Sequence, residues 1–429
     1  MGMETMRMFG DAPDPADTDV EEYTAPKRQL TLRPYQDAAL SKILWSMGAG
    51  LEGNELVVLP TGAGKSVVIA HLAKGIDSPI LILQPTKEIL EQNLDKLLRY
   101  VPDSEVGIYS ASMNEKTIGR YTFATIQSIY KKPADFLHFK LVILDEAHLL
   151  NPKSLDGMFT SFLKAIGSPK VVGFTATPYR MDTGWNNLGT DTWGNRMLEA
   201  FVTIKLINRM KGLFWKRMLY CINTEELMAQ GYLCPLEYID RSVVEHEALK
   251  LNKSRSDFDL DAYEDELTNR QQQIMDAIAW GMERSKSTLV FCSSVRQAER
   301  LAGIVEGAKC VSAKTPKKER DKIVKDFKDG SLKVVFNVGV LSIGFDHPAL
   351  DCIILLRPTR SIGLYYQMLG RGVRIAPGKT SCKVIDLTST VKNMGRIETI
   401  KLIRREKWEL ESETGSWHNK ELYRYTIKI

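Results

Sequence analysis

The chain holds 429 residues, which at roughly 150 per domain suggests about three domains, and its 44% apolar content is that of a folded globular protein. Fifty-eight basic against 53 acidic side chains leave a net charge of +5, too small for the total to identify a nucleic-acid partner. The longest run without a charged side chain, Val334 to Phe345, has 12 residues, where a membrane-spanning helix needs about 20. No membrane partner is expected, and with no apolar core for a secretory signal near the N-terminus, a cytoplasmic location is.

In chain order, residues 1–30 open with Asp11, Asp14, Asp17, Asp19, Glu21 and Glu22, interrupted by prolines, and read as a disordered acidic tail. Short β-branched runs then alternate with longer amphipathic segments: LVVL at 56–59, ILIL at 80–83, LVIL at 141–144 and VVGF at 171–174. Strands alternating with helices imply crossover units on a parallel sheet, so residues 31–180 are expected to form one α/β domain. The pattern fades after Met181, where Lys205, Arg209, Lys211, Lys216 and Arg217 gather near Phe214 and Trp215. Residues 181–235 read as a basic helical insertion and linker, whose aromatics either pack into the first domain or wedge a duplex. TLVF at 288–291, KVVFNV at 333–338, CIILL at 352–356 and KVIDL at 383–387 define a second α/β domain over 236–390, followed by a basic, aromatic tail over 391–429. The six cysteines include no CxxC pair, which disfavours a zinc module or a disulfide framework.

The stretch LVVLPTGAGKS joins an apolar strand, a turn bearing Gly62 and Gly64, and an amphipathic helix. That is the context in which backbone N–H groups and a helix N-terminus cradle a polyphosphate, with Lys65 reaching the β/γ-phosphates and Ser66 a candidate Mg2+ ligand. Another apolar strand, LVIL, ends in Asp145 and Glu146, at the edge where open α/β sheets bind ligands. Adjacent acids there suit a Mg2+ ligand in Asp145 and a group polarising the attacking water in Glu146. Alone, the two acids would serve as well to cap a helix; their pairing with Lys65 favours the chemistry.

Nine segments in order resemble the motifs of a superfamily 2 helicase: RPYQ (33–36), PTGAGKS (60–66), QPTKEIL (84–90), ATIQS (124–128), DEAH (145–148), TATP (175–178), VFCSS (290–294), NVGVLSIGFDHP (337–348) and QMLGRGVR (367–374). GYLCP, LLRPT and GRGVRIAPGKT are further similar to the RadD-like and UvsW-like DNA helicases, although Ala147 stands where RadD-like members often carry cysteine. The resemblance implies two tandem RecA-like domains, each a parallel sheet flanked by helices, with an ATP and Mg2+ site in the cleft between them. It places Arg33 and Gln36 at the adenine, and Pro60, Thr61, Gly62, Ala63, Gly64, Lys65 and Ser66 around the phosphates. Asp145, Glu146 and His148 are then catalytic, Thr175 and Thr177 couple the two lobes, and Gly344 with Asp346 senses nucleotide and strand. A helix starting near Tyr365 would carry Gln367, Arg371 and Arg374 on one face, with Arg371 and Arg374 as arginine fingers toward Lys65.

Pro85, Thr86, Thr125, Gln127, Ser293 and Ser294 resemble loop positions that grip a nucleic-acid backbone. The expected function is ATP-dependent unwinding or translocation on single-stranded, forked or branched DNA in replication, recombination or repair. RNA as the track is one alternative, since the letters DEAH also occur in RNA helicases. A nucleotide-gated DNA clamp or a restriction-type motor subunit that does not separate strands is another.

Overall fold

Near-continuous apolar runs bounded by glycine, proline and threonine become strands buried on both faces, which is what a parallel sheet covered by helices requires. The computed structural model describes residues 30–151, 157–193, 196–210, 214–253, 257–341, 345–416 and 421–428. The acidic tail over 1–29, Lys211, Gly344 and Trp417 lie outside the described residues.

The first lobe is an eight-stranded sheet in the spatial order 215–221, 54–58, 170–175, 141–144, 80–84, 121–125, 106–110, 115–116. All its pairs are parallel except the last, where 115–116 runs antiparallel to 106–110. The second lobe is a six-stranded parallel sheet in the order 236–240, 382–386, 352–356, 288–292, 334–337, 309–311. The two lobes share one apolar core, in which Leu56, Val172 and Leu233 are continuous with Leu289, Tyr365 and Val373. The outer face of the second sheet packs a separate cluster around Ile278, Val290 and Ile354.

The segment expected to be a helical insertion is β structure instead. Tyr179–Thr190 and Arg196–Leu206 pair antiparallel as a long hairpin, and Glu421–Lys428 adds a third strand to it. Trp215–Cys221 returns to the first lobe as an edge strand of the main sheet. Trp215 is fully buried there, lying so close to Gly173 that a Cβ on Gly173 would meet its ring at 2.4 Å. Trp215 and its neighbour Phe214 therefore pack inward and do not wedge a duplex, and Arg217 is held by the buried Glu55 at 2.8 Å. Part of the region expected to be a C-terminal tail is ordered as well: it forms the short helix Thr390–Met394, a small sheet over 401–416, and the third hairpin strand.

The C-terminal edges of both parallel sheets face the contact between lobes. Thr86 and Ser294 occupy equivalent places in the two lobes, each capping the helix that follows a fully buried strand.

Candidate active site

After the strand Asn54–Val58 the chain turns through Gly62 and Gly64, both at positive φ, into the helix Lys65–Lys74. A Cβ on Gly64 would meet the Gln36 side-chain amide at 2.5 Å, and one on Gly62 would press on Leu233 at 3.2 Å and Arg374 at 3.4 Å. Only glycine combines the left-handed backbone with this close approach. Lys65 lines the cleft, its Nζ 3.4 Å from the Leu59 carbonyl.

Gln36 caps its own helix through Arg33 N–H, accepted by Oε1 at 2.9 Å, and donates Nε2–H to the Ala63 carbonyl at 2.8 Å. Its amide therefore clasps the phosphate loop to the first helix, and Gln36 is not among the residues lining the cleft. The expectation that it faces the base is corrected accordingly. Pro60 and Ala63 also turn away from the cleft, so their part in the loop is confined to the backbone. Arg33 does line the cleft, with its guanidinium 5.0 Å from the ring centre of Tyr232, a linker residue that lines it as well.

Asp145 is 4% exposed at the end of the strand Leu141–Leu144. Its carboxylate accepts from Asn93 Nδ2 and from the Glu146 backbone N–H, each at 2.9 Å. Burial and the adjacent Glu146 push the Asp145 carboxyl up to about 6, against the pull of Lys65 and Asn93. Burial acts on Glu146 in the same direction, but Lys65, His148 and Arg371 outweigh it and hold Glu146 ionised, at about 2. Glu146 adopts a left-handed backbone at φ 50, a local strain of about 1–3 kcal/mol that surrounding contacts must hold.

His148 bridges the lobes. Its Nδ1 lies 3.3 Å from Glu146 Oε2 and 3.0 Å from Thr175 Oγ1, while Nε2 lies 3.4 Å from Gln367 Nε2 of the second lobe. With the Gln367 Nε2–H as donor, His148 Nε2 would be the acceptor, and Nδ1 is the ring nitrogen that faces Glu146 and Thr175. Thr175 also accepts from the Thr177 backbone N–H at 3.0 Å, and both threonines are buried. Arg180 donates to the His148 carbonyl at 2.8 Å and so fixes the loop from below.

The helix of the last motif spans Ile362–Leu369 and is capped by Gly370, so Arg371 and Arg374 lie in the turns beyond it and not on its face. Beyond Gly370 the turn tightens, with the Arg371 and Gly372 N–H groups donating three residues back to the Met368 and Leu369 carbonyls at 3.3 and 2.9 Å, and Gly370 itself packs on Thr61, where a Cβ would come within 2.7 Å. The two guanidiniums nevertheless converge, since both donate to the Phe345 carbonyl, at 2.7 and 2.9 Å. Asp346 holds Arg374 at 3.2 Å. Burial and Arg374 lower the Arg371 guanidinium to about 9, opposed by Glu146 and Asp346.

Together these groups line one cleft of about 300 Å3, with Lys65, Ser66, Asp145 and Glu146 from the first lobe and Asp346, Arg371 and Arg374 from the second. A larger cavity of about 520 Å3 opens among Asn54, Lys170 and Phe214 at the opposite edge of the first sheet. Its walls are mostly apolar and carry none of these converging groups, so the smaller cleft is the candidate site. A magnesium nucleotide fits the donor set: the two glycines leave a cradle, and Ser66 and Asp145 offer a hydroxyl and a carboxylate. Among the described residues no cluster of three His, Cys, Asp or Glu side chains could hold a metal ion.

Of the residues expected to grip nucleic acid, Gln127 is exposed, and Pro85, Thr86 and Ser294 are partly so at loop ends. The Thr125 and Ser293 side chains turn inward. Thr125 Oγ1 bonds Ser128 at 2.8 Å, and Ser293 Oγ lies within hydrogen-bond distance of Glu264 and Gln297 oxygens and donates its one proton between them, which leaves only their backbones to meet a strand.

Asn93 and Tyr232 were not anticipated. Asn93 did leave a signal, a lone amide on the buried stripe Ile89, Leu90, Leu97 of its helix. Tyr232 left none, because its place depends on how the linker folds back over Arg33.

A domain family described as "Type III restriction enzyme, res subunit" matches residues 29–180, and "Helicase conserved C-terminal domain" matches residues 269–376. The chain is 25% identical over 390 residues to the putative ATP-dependent helicase IRC3 of Saccharomyces cerevisiae, covering 85% of this chain but 52% of that protein. It is 26% identical over 370 residues to the DNA 3'-5' translocase XPB2 of Sulfurisphaera tokodaii, covering 81% and 80% of the two chains. A fragment of a putative HsdR subunit of a type I restriction enzyme from Vibrio vulnificus shares the fold with a TM-score of 0.61 at 19% identity, over 85% of this chain and 65% of that one. With two α/β lobes, the motifs of both in one cleft, and both lobes matched, the chain belongs to the superfamily 2 helicases of the DExH type.

Proposed function

We propose that this protein is an ATP-driven motor on DNA that unwinds or translocates, and that it remodels branched or forked DNA in replication, recombination or repair. The observation that carries the reading is the composition of the cleft, in which neither lobe alone supplies both the phosphate cradle and the arginines. Bound Mg2+-ATP supplies the phosphoanhydride whose hydrolysis drives the cycle. Lys65 and the loop N–H groups would bind the phosphates, and Ser66 and Asp145 would hold the cation. Glu146, kept ionised by its cationic neighbours, orients the water and receives its proton. Arg371 and Arg374 add positive charge where it accumulates during transfer, and do so only while the lobes are together.

The bridge from Glu146 through His148 to Thr175 and Gln367 links hydrolysis to the relative position of the lobes. Opening and closing between two grips on a strand then becomes directed movement. ATPase stimulation by single-stranded DNA, forked DNA and RNA in one assay tests the reading. Stimulation greatest with forked DNA is expected; stimulation by RNA alone would overturn it.

A second reading is a restriction-type motor subunit that translocates without separating strands. It draws support from the first-lobe family match and from the name of the HsdR neighbour. Strand displacement from a fork, scored beside translocation, separates the two.

A further inference from the structure

The segment that carries Arg371 and Arg374 has no regular structure of its own, since residues 370–381 form neither helix nor strand. Backbone polar groups in such a segment have no ladder to join and need other partners. Three consecutive carbonyls find them. Val373 accepts from the Cys234 backbone N–H of the linker at 2.7 Å, while Gly372 and Arg374 both accept from one side chain, Lys379, at 2.7 and 2.8 Å. The Lys379 ammonium also donates to the Pro348 carbonyl at 3.1 Å, in the loop that holds Phe345 and Asp346. An ammonium has three donors, and here each meets a carbonyl.

The chain reaches this arrangement through Gly378, whose φ of 74 turns it back on itself, and the Lys379 N–H closes the turn on the Ala376 carbonyl at 3.1 Å. None of the three side-chain acceptors carries a charge. Burial lowers the ammonium below the ordinary lysine range, and Arg374 adds to the shift, against Cys382, Cys234 and Asp351. Placing a partly buried cation behind two arginines destabilises the fold, so stability alone does not account for it.

What Lys379 fixes lies against the phosphate loop. A Cβ on Gly370 would meet Thr61 at 2.7 Å, and one on Gly62 would meet Val373 and Arg374 at 3.4 Å each. Both guanidiniums hang from the Phe345 carbonyl, and Lys379 ties the backbone that bears them to Pro348 of the same loop. Guanidinium and backbone are therefore anchored separately, to one loop of the second lobe.

We propose that Lys379 is a positioning residue for hydrolysis, whose ammonium holds the carbonyls of Gly372, Arg374 and Pro348 so that Arg371 and Arg374 stay aimed at the phosphates. The proposal rests on the ATP-motor reading and names what sets the geometry of its second lobe. Without the ammonium the turn loses two of the bonds on its three consecutive carbonyls, and a displacement of about 1 Å at a reacting centre can lower turnover by about 100-fold.

The test uses the full chain with Lys379→Met, which keeps the stem and removes the donors, alone and combined with Arg371→Ala. Steady-state ATPase kinetics and affinity for a non-hydrolysable ATP analogue are read. Lys379→Met is expected to lower kcat by about 10- to 100-fold with KM and analogue affinity nearly unchanged. In the Arg371→Ala background the same substitution should lower kcat by a severalfold smaller factor, because one of the groups it positions is gone. Should Lys379→Met not fold, Lys379→Gln carries the same comparison with a smaller loss. If the lysine variant keeps the wild-type kcat, raises KM instead, or lowers kcat by the same factor in both backgrounds, the positioning role is overturned while the motor reading stands. If Arg371→Ala alone turns over ATP at the wild-type rate, the arginine reading fails and the role of Lys379 with it.

Discussion

The two lobes share a layout and divide the chemistry unequally. Each is a parallel sheet with a hydroxyl-capped helix after a buried strand, yet the first carries Lys65, Asp145 and Glu146 while the second brings Arg371 and Arg374. The asymmetry separates holding from accelerating. In the proposed mechanism the first lobe would hold the phosphates, and charge developing on the transferred phosphoryl group would be met only when the second lobe is in place.

Breaking the first lobe gives the largest effect. Lys65→Ala is expected to lower kcat by about 10^3-fold or more and to weaken nucleotide binding, since the lysine meets the phosphates throughout the cycle. Arg371→Ala should lower kcat by about 10^3-fold with KM for ATP nearly unchanged, the signature of an interaction made in the transition state. Steady-state ATPase kinetics of the two variants side by side check the division. Turnover of Arg371→Ala at the wild-type rate would remove the second lobe from the chemistry.

A smaller effect sharpens the account of the cation. Asn93 donates to Asp145 from a neighbouring helix, and loss of such a supporting hydrogen bond costs about 10- to 100-fold in metal affinity. Asn93→Leu keeps the volume and removes the donor, so its half-saturating Mg2+ concentration should rise by about tenfold while saturating kcat changes little. An unchanged Mg2+ titration would make Asn93 a packing residue. At the base end of the cleft, Tyr232→Ala should raise KM for ATP severalfold and leave inhibition by inorganic tripolyphosphate as it was, because the triphosphate has no base to stack.

How much of this was legible follows from where each interaction lives in the chain. The parallel sheets and the residues of the cleft could be read because strands buried on both faces are apolar runs, and the phosphate loop and paired acids sit at their ends. The hairpin could not be read. Tyr179 to Leu206 mixes polar and apolar residues without a clean alternation, since its root is half core and its tip meets water on both faces, and the third strand comes from residues 421–428. The basic cluster around Phe214 and Trp215 misled for a related reason: Trp215 is buried by Gly173 and Glu55 neutralises Arg217, contacts at separations of 42 and 162 residues. Arg371 and Arg374 were placed on a helix that ends at Leu369, yet they reach the cleft because both guanidiniums find the same carbonyl.

Acid distinguishes the second lobe by a still smaller effect. His246 and His347 both belong to it, and burial above all lowers each from 6.5 to about 4. Glu245 and Glu247 oppose the shift at His246 while Arg360 adds to it; at His347, Asp346 and Asp351 oppose and Lys328 and Lys379 add. Between these limits the unfolded chain binds a proton at each histidine that the folded lobe does not, so stability is intact above pH 6.5 and falls as pH drops toward 4. His347 packs on Phe327 and shares a 2.8 Å hydrogen bond with Ser287, a position where an uncharged amide of similar reach is accommodated. His347→Gln should therefore reduce the difference between pH 7 and pH 5 in hydrogen-exchange protection of the strand Cys352–Leu356. The same difference in variant and wild type would assign the acid sensitivity of this lobe to groups other than His347.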